Sequence, residues 1–278
     1  MARSVNGTSD RIIGTAGANY PTTGSSSMVA YVKLTTNGLV IGQFPPGPAG
    51  ANTGWSMYLN GNATNKFSFL KHSAVTVAST MTMSTGVPYI LGIRHITVTS
   101  CTFYRLNLNT GLFETELVAN TNAITSAASP RIMIGTSNTM TGAGNDSAGT
   151  IAEVMVWNKD IGDNLMTAIV KGGLTNARLV ERGNPGVTPG LVLDAPLYGF
   201  SPEPDLSSQA QNLTLTGTTI ADHSPTGRYA PRPSYQGSEI GISGSLTLQY
   251  EIVSDRNRYV SPELFSQETK SKIVLNLL

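Results

Sequence analysis

The chain has 278 residues, of which 40% are hydrophobic and only 13% are charged, and it contains 29 glycines and 15 prolines. Soluble proteins carry about 25% charged residues on average, so hydroxyl and amide side chains must solubilise this surface, which favours short strands and tight turns over charged helices. The net charge of +1 argues against nucleic acid as a partner. The lack of a long apolar run argues against a membrane, and the lack of an apolar N-terminal segment predicts synthesis in a cytoplasm.

Strand signals recur at short intervals along the chain, each an apolar or alternating run bounded by Gly, Asn, Ser or Thr. In chain order they are Met28–Leu34, Leu39–Phe44, Trp55–Leu59, Lys66–Leu70, Ala74–Ala78, Tyr89–Thr99, Cys101–Leu108, Phe113–Val118, Arg131–Gly135, Ile151–Trp157, Leu191–Leu193 and Leu213–Thr216. Lys66–Leu70 has a period of two that places Phe67 and Phe69 on one face. Many short strands with polar turns predict an all-β fold, namely a sandwich, jelly roll or barrel.

The connections indicate antiparallel neighbours. Thr35–Gly38 ends in Asn-Gly, the pair typical of a tight hairpin turn, and Asn109–Gly111 separates two further strand runs in the same way. One helix is predicted over Asp160–Val170, because apolar residues recur there at helical spacing and two glycines follow. We expect this helix to cap an open end of the sandwich.

Two single residues have expected positions. Cys101 excludes an internal disulfide, since it is the only cysteine, and it lies in an apolar run where a buried thiol is expected. His95 lies in the run Ile93–Val98 and is expected to face solvent from a strand.

A search for catalytic patterns favours a non-enzyme. Glycosidases need paired carboxylates, but no alternating row of acids occurs, and the first 113 residues hold a single acid, Asp10. Nucleophile-elbow, phosphate-loop and zinc-protease motifs are also missing from the sequence.

Two stretches offer weak binding chemistry. Trp55 and Tyr58 could stack on a sugar while Asn60 or Asn62 bonds its hydroxyls, although Trp55 is at least as well explained as a core residue. Asn145 and Asp146, just before a strand, could hold a rim calcium ion, or they could form only an Asx turn. No other cofactor is expected.

The composition shifts near residue 226, so we predict a sandwich over 1–225 and an attachment or oligomerisation segment over 226–278. The segment opens with the proline-containing stretch Arg228–Gly237, which favours an extended arm, and continues with the alternating strand Ser245–Val253. Such a strand can add to the edge of a neighbouring sheet. Tyrosine and arginine are favoured at interfaces, so the predicted contact residues are Tyr229, Arg232, Tyr235 and Tyr250.

Three stretches carry a resemblance to a known family. Ala2–Ile12 resembles the opening strand of concanavalin A-like, laminin-G-like domains, and Gly149–Ile161 resembles their late strand leading to a short helix. Leu191–Thr219 resembles versions of the domain found in virion proteins of tailed bacteriophages. The resemblance covers residues 1 to about 225 and implies a two-sheet antiparallel jelly-roll sandwich that binds glycans or proteins through rim loops, often with calcium.

The leading functional hypothesis is therefore a non-enzymatic phage virion protein on the particle surface, made in the host cytoplasm: a capsid decoration, cement or head-fibre protein. Its expected partners are capsid or other virion proteins and further copies of itself, as a dimer or trimer. The alternative is a tail or receptor-binding module that holds a host glycan with the same sandwich. A third hypothesis, a glycan-cleaving enzyme, requires carboxylates distant in sequence to converge.

Overall fold

The structure of the protein is a computed structural model. It describes residues 2–15, 20, 24–36, 38–44, 54–60, 65–71, 76–97, 99–119, 131–135, 146–172, 190–207, 209–210 and 212–221. The chain divides into two units, Met1–Arg232 and Pro233–Leu278, and the second unit lies outside the described residues. The predicted boundary at residue 226 stays a prediction.

The described residues form fifteen strands and one helix. They are β1 (Ala2–Asn6), β2 (Arg11–Ile13), β3 (Ser26–Leu34), β4 (Leu39–Phe44), β5 (Trp55–Asn60), β6 (Lys66–Lys71), β7 (Thr76–Thr82), β8 (Tyr89–Ile96), β9 (Ser100–Asn107), β10 (Phe113–Ala119), β11 (Arg131–Ile134), β12 (Ala148–Trp157), α1 (Asp163–Gly172), β13 (Leu191–Ala195), β14 (Thr214–Thr216) and β15 (Thr219–Ala221).

The strands form two antiparallel sheets. Sheet A has the order β10-β9-β8-β3-β12-β1-β15, with β13 also paired to β12, and sheet B has the order β14-β2-β11-β4-β5-β6-β7. Aromatic side chains of the two sheets meet between them: the ring of Phe67 on β6 lies 5.1 Å from that of Phe103 on β9, edge to face. The predicted two-sheet antiparallel sandwich is confirmed.

Local patterns explain much of this core. Phe67 and Phe69 are both buried on the inner face of β6, as their period of two predicts, and Cys101 is buried on β9. The predicted hairpin at Asn109–Gly111 joins β9 to β10. Gly111 adopts a φ of +72°, a conformation that glycine adopts without steric cost, and its amide donates to the carbonyl of Asn107 at 2.8 Å.

The hairpin predicted at Thr35–Gly38 is wrong. Strand β3 pairs with β8 and β12 in sheet A, whereas β4 pairs with β5 and β11 in sheet B, so the connection crosses between the sheets. The start of β12 accepts the hydrogen bonds that a hairpin would make internally: the amides of Thr35 and Thr36 both donate to the carbonyl of Ala148, at 2.7 and 3.2 Å. Tertiary pairing has therefore overridden the turn signal.

The prediction that His95 faces solvent is also wrong. His95 lies on the inner face of β8 and is fully buried. Its ring stacks on that of Phe69 across the sandwich, with the ring centroids 5.1 Å apart. A polar residue in an apolar run indicates an outward position on a half-buried strand, but β8 is a central strand that is buried on both faces.

Helix α1 begins at Asp163, three residues later than predicted, and lies on the outer face of sheet A instead of capping an open end. Its buried residues Met166, Ile169 and Val170 pack with the outer-face residues of the sheet. Gly92 on β8 makes this approach possible, because a Cβ there would lie 2.9 Å from the sulfur of Met166. Within the described part of the chain, no helix has the length and apolar character needed to cross a membrane.

Candidate functional site

The predicted stacking platform at Trp55 and Tyr58 is not exposed. The two residues are three positions apart on β5, so their side chains project from opposite faces of the strand. Trp55 is fully buried in the core, where its ring stacks on Phe69 at 6.4 Å. Tyr58 is buried on the other face with Leu39 and Met133. Trp55 is a core residue, which is the second of the two interpretations that the sequence left open.

Burial and the nearby carboxylate of Asp146 raise the pKa of the Tyr58 phenol above its ordinary value. Asp146 thus lies close enough to Tyr58 for its negative charge to disfavour ionisation of the phenol. No cluster of three or more ligating side chains that could hold a metal ion occurs among the described residues. The partner predicted for Asp146 at a calcium site, Asn145, lies outside the described residues, as does Asn62, and only the backbone of Asn60 is described.

The predicted contact residues Tyr229, Arg232, Tyr235 and Tyr250 also lie outside the described residues. The structure instead shows a feature that the sequence did not reveal, at the edge of sheet A formed by β15. There, Arg3 of β1 and Glu203 form a buried ion pair with 2.6 Å between Nε and Oε1. The same carboxylate oxygen accepts a hydrogen bond from the amide of Gly199 at 2.7 Å.

This ion pair fixes the path of the segment 199–203. Arg3 also donates to the backbone carbonyl of Phe200, and Glu203 exchanges both backbone hydrogen bonds with Leu213, at 3.1 and 2.8 Å. Gly199 has a φ of +97°, which suits glycine. The backbone is therefore held from both sides, and the ring of Phe200 is left outside the sandwich.

Three side chains line this outer surface, and we call them the edge patch: Tyr198, Phe200 and Ile220. Phe200 is 58% exposed and Ile220 57% exposed. The rings of Tyr198 and Phe200 meet edge to face at 6.5 Å. Ile220 lies directly opposite Arg3 in the β1–β15 ladder, and Arg3 donates to the carbonyl of Phe200, so both exposed residues adjoin the arginine. Exposed apolar clusters of this kind mark binding surfaces.

The edge patch is also where the described chain ends. Strand β15 is the last strand of sheet A and pairs on one side only within the described residues. Strand β15 ends at Ala221, and the predicted arm follows later in the sequence. The sequence signal was the pair of prolines around Glu203, which indicates a fixed extended path, but nothing in the sequence indicated that Arg3 is its partner.

A second polar network anchors helix α1 to sheet A. Arg94 donates to both carboxylate oxygens of Asp160, at 2.6 and 2.8 Å, and to the Tyr104 hydroxyl at 3.0 Å. The Tyr104 hydroxyl donates to Asp163 at 2.5 Å, and Asp160 accepts the amide of Gly162 at 3.0 Å. The network thus ties the start of the helix to strands β8 and β9.

Each pKa in this network follows from its contacts. The hydrogen bond to Asp160 raises the pKa of Arg94 despite its burial. Burial raises the pKa of Tyr104 to about 12, although its bond with Arg94 opposes the shift. Burial also acts to raise the pKa of Asp160, but the hydrogen bonds from Arg94 and the Gly162 amide outweigh it and lower that pKa. All three groups are in their ordinary charge states at neutral pH.

No protein-family profile matches the chain, and no curated protein matches it in sequence. Solved structures do match its fold. A proposed carbohydrate-binding protein of Bacteroides ovatus is 15% identical with a TM-score of 0.54, and the match covers 80% of this chain and 60% of that one. A tailspike protein of a bacteriophage of Escherichia coli O157:H7 is 15% identical with a TM-score of 0.41, over 67% of this chain and 25% of that one.

The mouse laminin α1 chain, in its domains LG4-5, is 9% identical with a TM-score of 0.41, over 58% of this chain and 44% of that one. At these identities the matches show similarity of fold alone. Of the three, the Bacteroides ovatus protein supports the fold assignment, with a TM-score of 0.54. The two-sheet sandwich fold that the sequence resemblance implied is confirmed. The chain spans three fifths of the length of the Bacteroides ovatus protein and a quarter of the tailspike.

Proposed function

We propose that this protein is a non-enzymatic component of a bacteriophage particle, displayed on the particle surface as a decoration, cement or head-fibre protein. The edge patch is one attachment surface of the protein, and the arm predicted from the sequence after β15 is a second attachment element. The observation that carries this proposal is the exposed pair Phe200 and Ile220. Phe200 lies in the segment that the buried Arg3–Glu203 ion pair holds, and Ile220 lies on β15, the last described strand before the predicted arm in the sequence.

Physical reasons support an attachment role for this patch. An exposed aromatic and an exposed aliphatic side chain on a rigid backbone bury apolar area on binding without a large loss of conformational freedom. Among the described residues β15 pairs on one side only, and its other side offers backbone donors and acceptors to an added strand. The resemblance of Leu191–Thr219 to phage virion proteins includes the whole segment that presents Phe200.

Co-sedimentation with phage particles stripped of accessory proteins tests the proposal. The full chain and a chain cut after Thr226 are mixed with particles, and circular dichroism with thermal unfolding checks that the cut chain is folded. We expect the full chain to pellet with particles and the folded cut chain to bind at least tenfold more weakly. Equal binding by the two chains would contradict attachment through the arm, and no binding by the full chain would contradict the particle role.

Glycan binding is the second candidate function. The proposed carbohydrate-binding protein of Bacteroides ovatus shares the fold at a TM-score of 0.54, and the edge patch offers two aromatic rings, Tyr198 and Phe200, of the kind that stack on sugar rings. A glycan array of the full chain and a Phe200→Ala variant tests it. Signals lost in the variant would support a glycan site at the edge patch, whereas an array without signals would contradict this function.

The proposed absence of catalysis has support in the carboxylates. Glu203 is paired with Arg3, Asp160 with Arg94, and Glu114 with Arg105. A glycosidase needs one carboxyl held protonated and a second one facing the sugar, and these three acids are held as ion-pair partners instead. Incubation with the glycans that bind on the array, followed by product analysis, tests this statement. Release of shorter glycans would contradict it.

A further inference from the structure

At the other end of sheet A, β10 is the sheet's last strand in the part of the chain that the structure describes. Strand β10 is seven residues long, and within the described residues it pairs with β9 alone in its sheet. Its side toward β7 is held by Glu116, whose carboxylate accepts the amide and the hydroxyl of Thr80 at 2.7 and 3.0 Å. Its other face carries Leu117, which is 69% exposed.

The register of β10 identifies the backbone groups that face outward. The amide of Asn107 donates to the carbonyl of Leu112 at 2.9 Å, and β9 and β10 continue from there in an unbroken antiparallel register. Bonded and non-bonded pairs alternate in such a ladder. Glu114, Glu116 and Val118 are therefore bonded to β9. The residues that direct their amides and carbonyls away from β9 are Phe113, Thr115, Leu117 and Ala119.

Edge strands are normally protected by lysine, proline, bulges or short length. Strand β10 has neither lysine nor proline, and its pairing with β9 has no register shift. Its two charges, Glu114 and Glu116, lie on the face opposite to Leu117 and are bonded to Arg105 and Thr80. The edge is thus long and regular, and β10 itself carries no charge on the face of the exposed leucine. The Lys171 ammonium of α1 lies over the Phe113 ring at the start of the strand, 4.4 Å from its centroid.

We infer that β10 pairs antiparallel with β10 of a second copy of this chain, around a twofold axis at Leu117. The charges select this register. An axis at Glu116 or at Thr115 would place glutamates directly opposite each other, which is destabilising. An axis at Leu117 places each Glu116 opposite Val118 and brings the two exposed leucines together.

In this register the outward groups all find partners over the central five residues. Leu117 pairs with its copy, and Thr115 pairs with Ala119 of the second copy on both sides of the axis, as bonded pairs. The interface is the same patch on both copies, as a twofold dimer requires. The result is one continuous sheet that joins two sandwiches. The edge patch lies at the opposite edge of sheet A and stays available.

Cysteine cross-linking of the full chain in solution, without particles, tests the inference and its register. Directly opposite residues in a bonded pair have Cα atoms about 5.5 Å apart, within the range of a disulfide. The Cα atoms of the two copies of Thr115 would lie about 14 Å apart, because they are separated by four residues at roughly 3.3 Å each along the strands and by about 5.5 Å across them. Under mild oxidation we expect a covalent dimer from Leu117→Cys and none from Thr115→Cys. Cys101 is buried and serves as the internal background.

Sedimentation velocity over a concentration series supplies the second measurement. We expect the unmodified chain to dimerise and Leu117→Lys to raise the dimer dissociation constant at least tenfold, because two lysines would meet at the axis. Leu112→Lys is the matched control, since Leu112 is 53% exposed but precedes β10, and its constant should not change. A monomeric unmodified chain, equal effects of the two lysines, or equal cross-linking by Thr115→Cys would overturn the inference. These outcomes are independent of whether the protein binds particles.

Discussion

Arg3 and Glu203 lie 200 positions apart in the sequence and form a buried ion pair with 2.6 Å between Nε and Oε1. The pair joins the first strand of the sandwich to the segment that presents Phe200. Both groups are removed from water, so each depends on the other and on the surrounding backbone for its hydrogen bonds. The position of the edge patch is therefore coupled to the stability of the fold.

The first prediction concerns this pair. Arg3→Met should lower the free energy of unfolding by about 3–5 kcal/mol, because it leaves a buried carboxylate without a counter-charge. Chemical denaturation measures the change. Arg105→Met is the comparison: its partner Glu114 is partly exposed, so water can hydrate the carboxylate left behind and the loss should be clearly smaller than for Arg3→Met. Similar costs for the two variants would contradict the buried character of the pair.

A second prediction concerns the double variant Arg3→Met/Glu203→Leu. It should recover much of the stability lost in Arg3→Met, because an apolar pair of similar volume avoids the cost of burying charge. The Phe200 backbone would still lose its contact with Arg3. A double variant less stable than the single one would show that Glu203 stabilises the fold mainly through its bond with the Gly199 amide.

The third prediction is a pH dependence at the start of α1. The pKa of Asp160 is lowered in the folded protein by its hydrogen bonds, so its contribution to stability is present above the ordinary carboxyl pKa of about 3.9 and is lost as the pH falls through the lowered value. The difference in unfolding free energy between the unmodified chain and Asp160→Asn should be constant from about pH 5 to about pH 7. It should shrink below roughly pH 4. A difference independent of pH in acid would contradict it.

Alkaline pH gives a fourth prediction. Burial raises the pKa of Tyr104 to about 12, against about 10 for a free phenol. A raised pKa means that the folded state keeps its proton longer than the unfolded state, so this contribution is present below about pH 10 and is lost as the pH rises toward 12. The stability advantage of the unmodified chain over Tyr104→Phe should fall in that interval. An unchanged advantage would place the hydroxyl in water.

The fifth prediction separates core from binding surface. Trp55→Ala should lower the free energy of unfolding by about 3–5 kcal/mol, since it empties a space in the core. Leu112→Ala, on the surface, should change it by about 0.5 kcal/mol or less. Any glycan or particle binding should survive in the folded fraction of the Trp55 variant. Loss of binding without loss of stability would contradict this prediction and would support the hypothesis that Trp55 stacks on a sugar.

Elements with a strong local signal could be predicted from the sequence. The alternation of Phe67 and Phe69 identified β6, and the exact start of β4 at Leu39 follows from its apolar run. Short strands have no such signal. Strands β2 and β15 are three residues long, and pairing with neighbouring strands is what makes them strands. The helix was found, but its start at Asp163 depends on Asp160 bonding Arg94 instead of entering the helix.

The candidate site was harder to predict than the fold. Trp55 was named for its aromatic chemistry, but the pairing of β5 between β4 and β6 decides that its ring lies inside. The edge patch depends on Arg3 and Glu203, whose contact is a tertiary event with no local pattern. In the same way, Thr35–Gly38 carries a sound turn signal, and only the hydrogen bonds to Ala148 show that the chain crosses between sheets there.

Binding of edge-patch variants to phage particles tests the proposed function most directly. The full chain, the double variant Phe200→Ser/Ile220→Ser and the control Leu112→Ser are compared by co-sedimentation with stripped particles, after thermal unfolding has shown that all three are folded. We predict that the unmodified chain and the control bind alike and that the double variant binds at least tenfold more weakly. Equal binding by all three would contradict attachment through the edge patch.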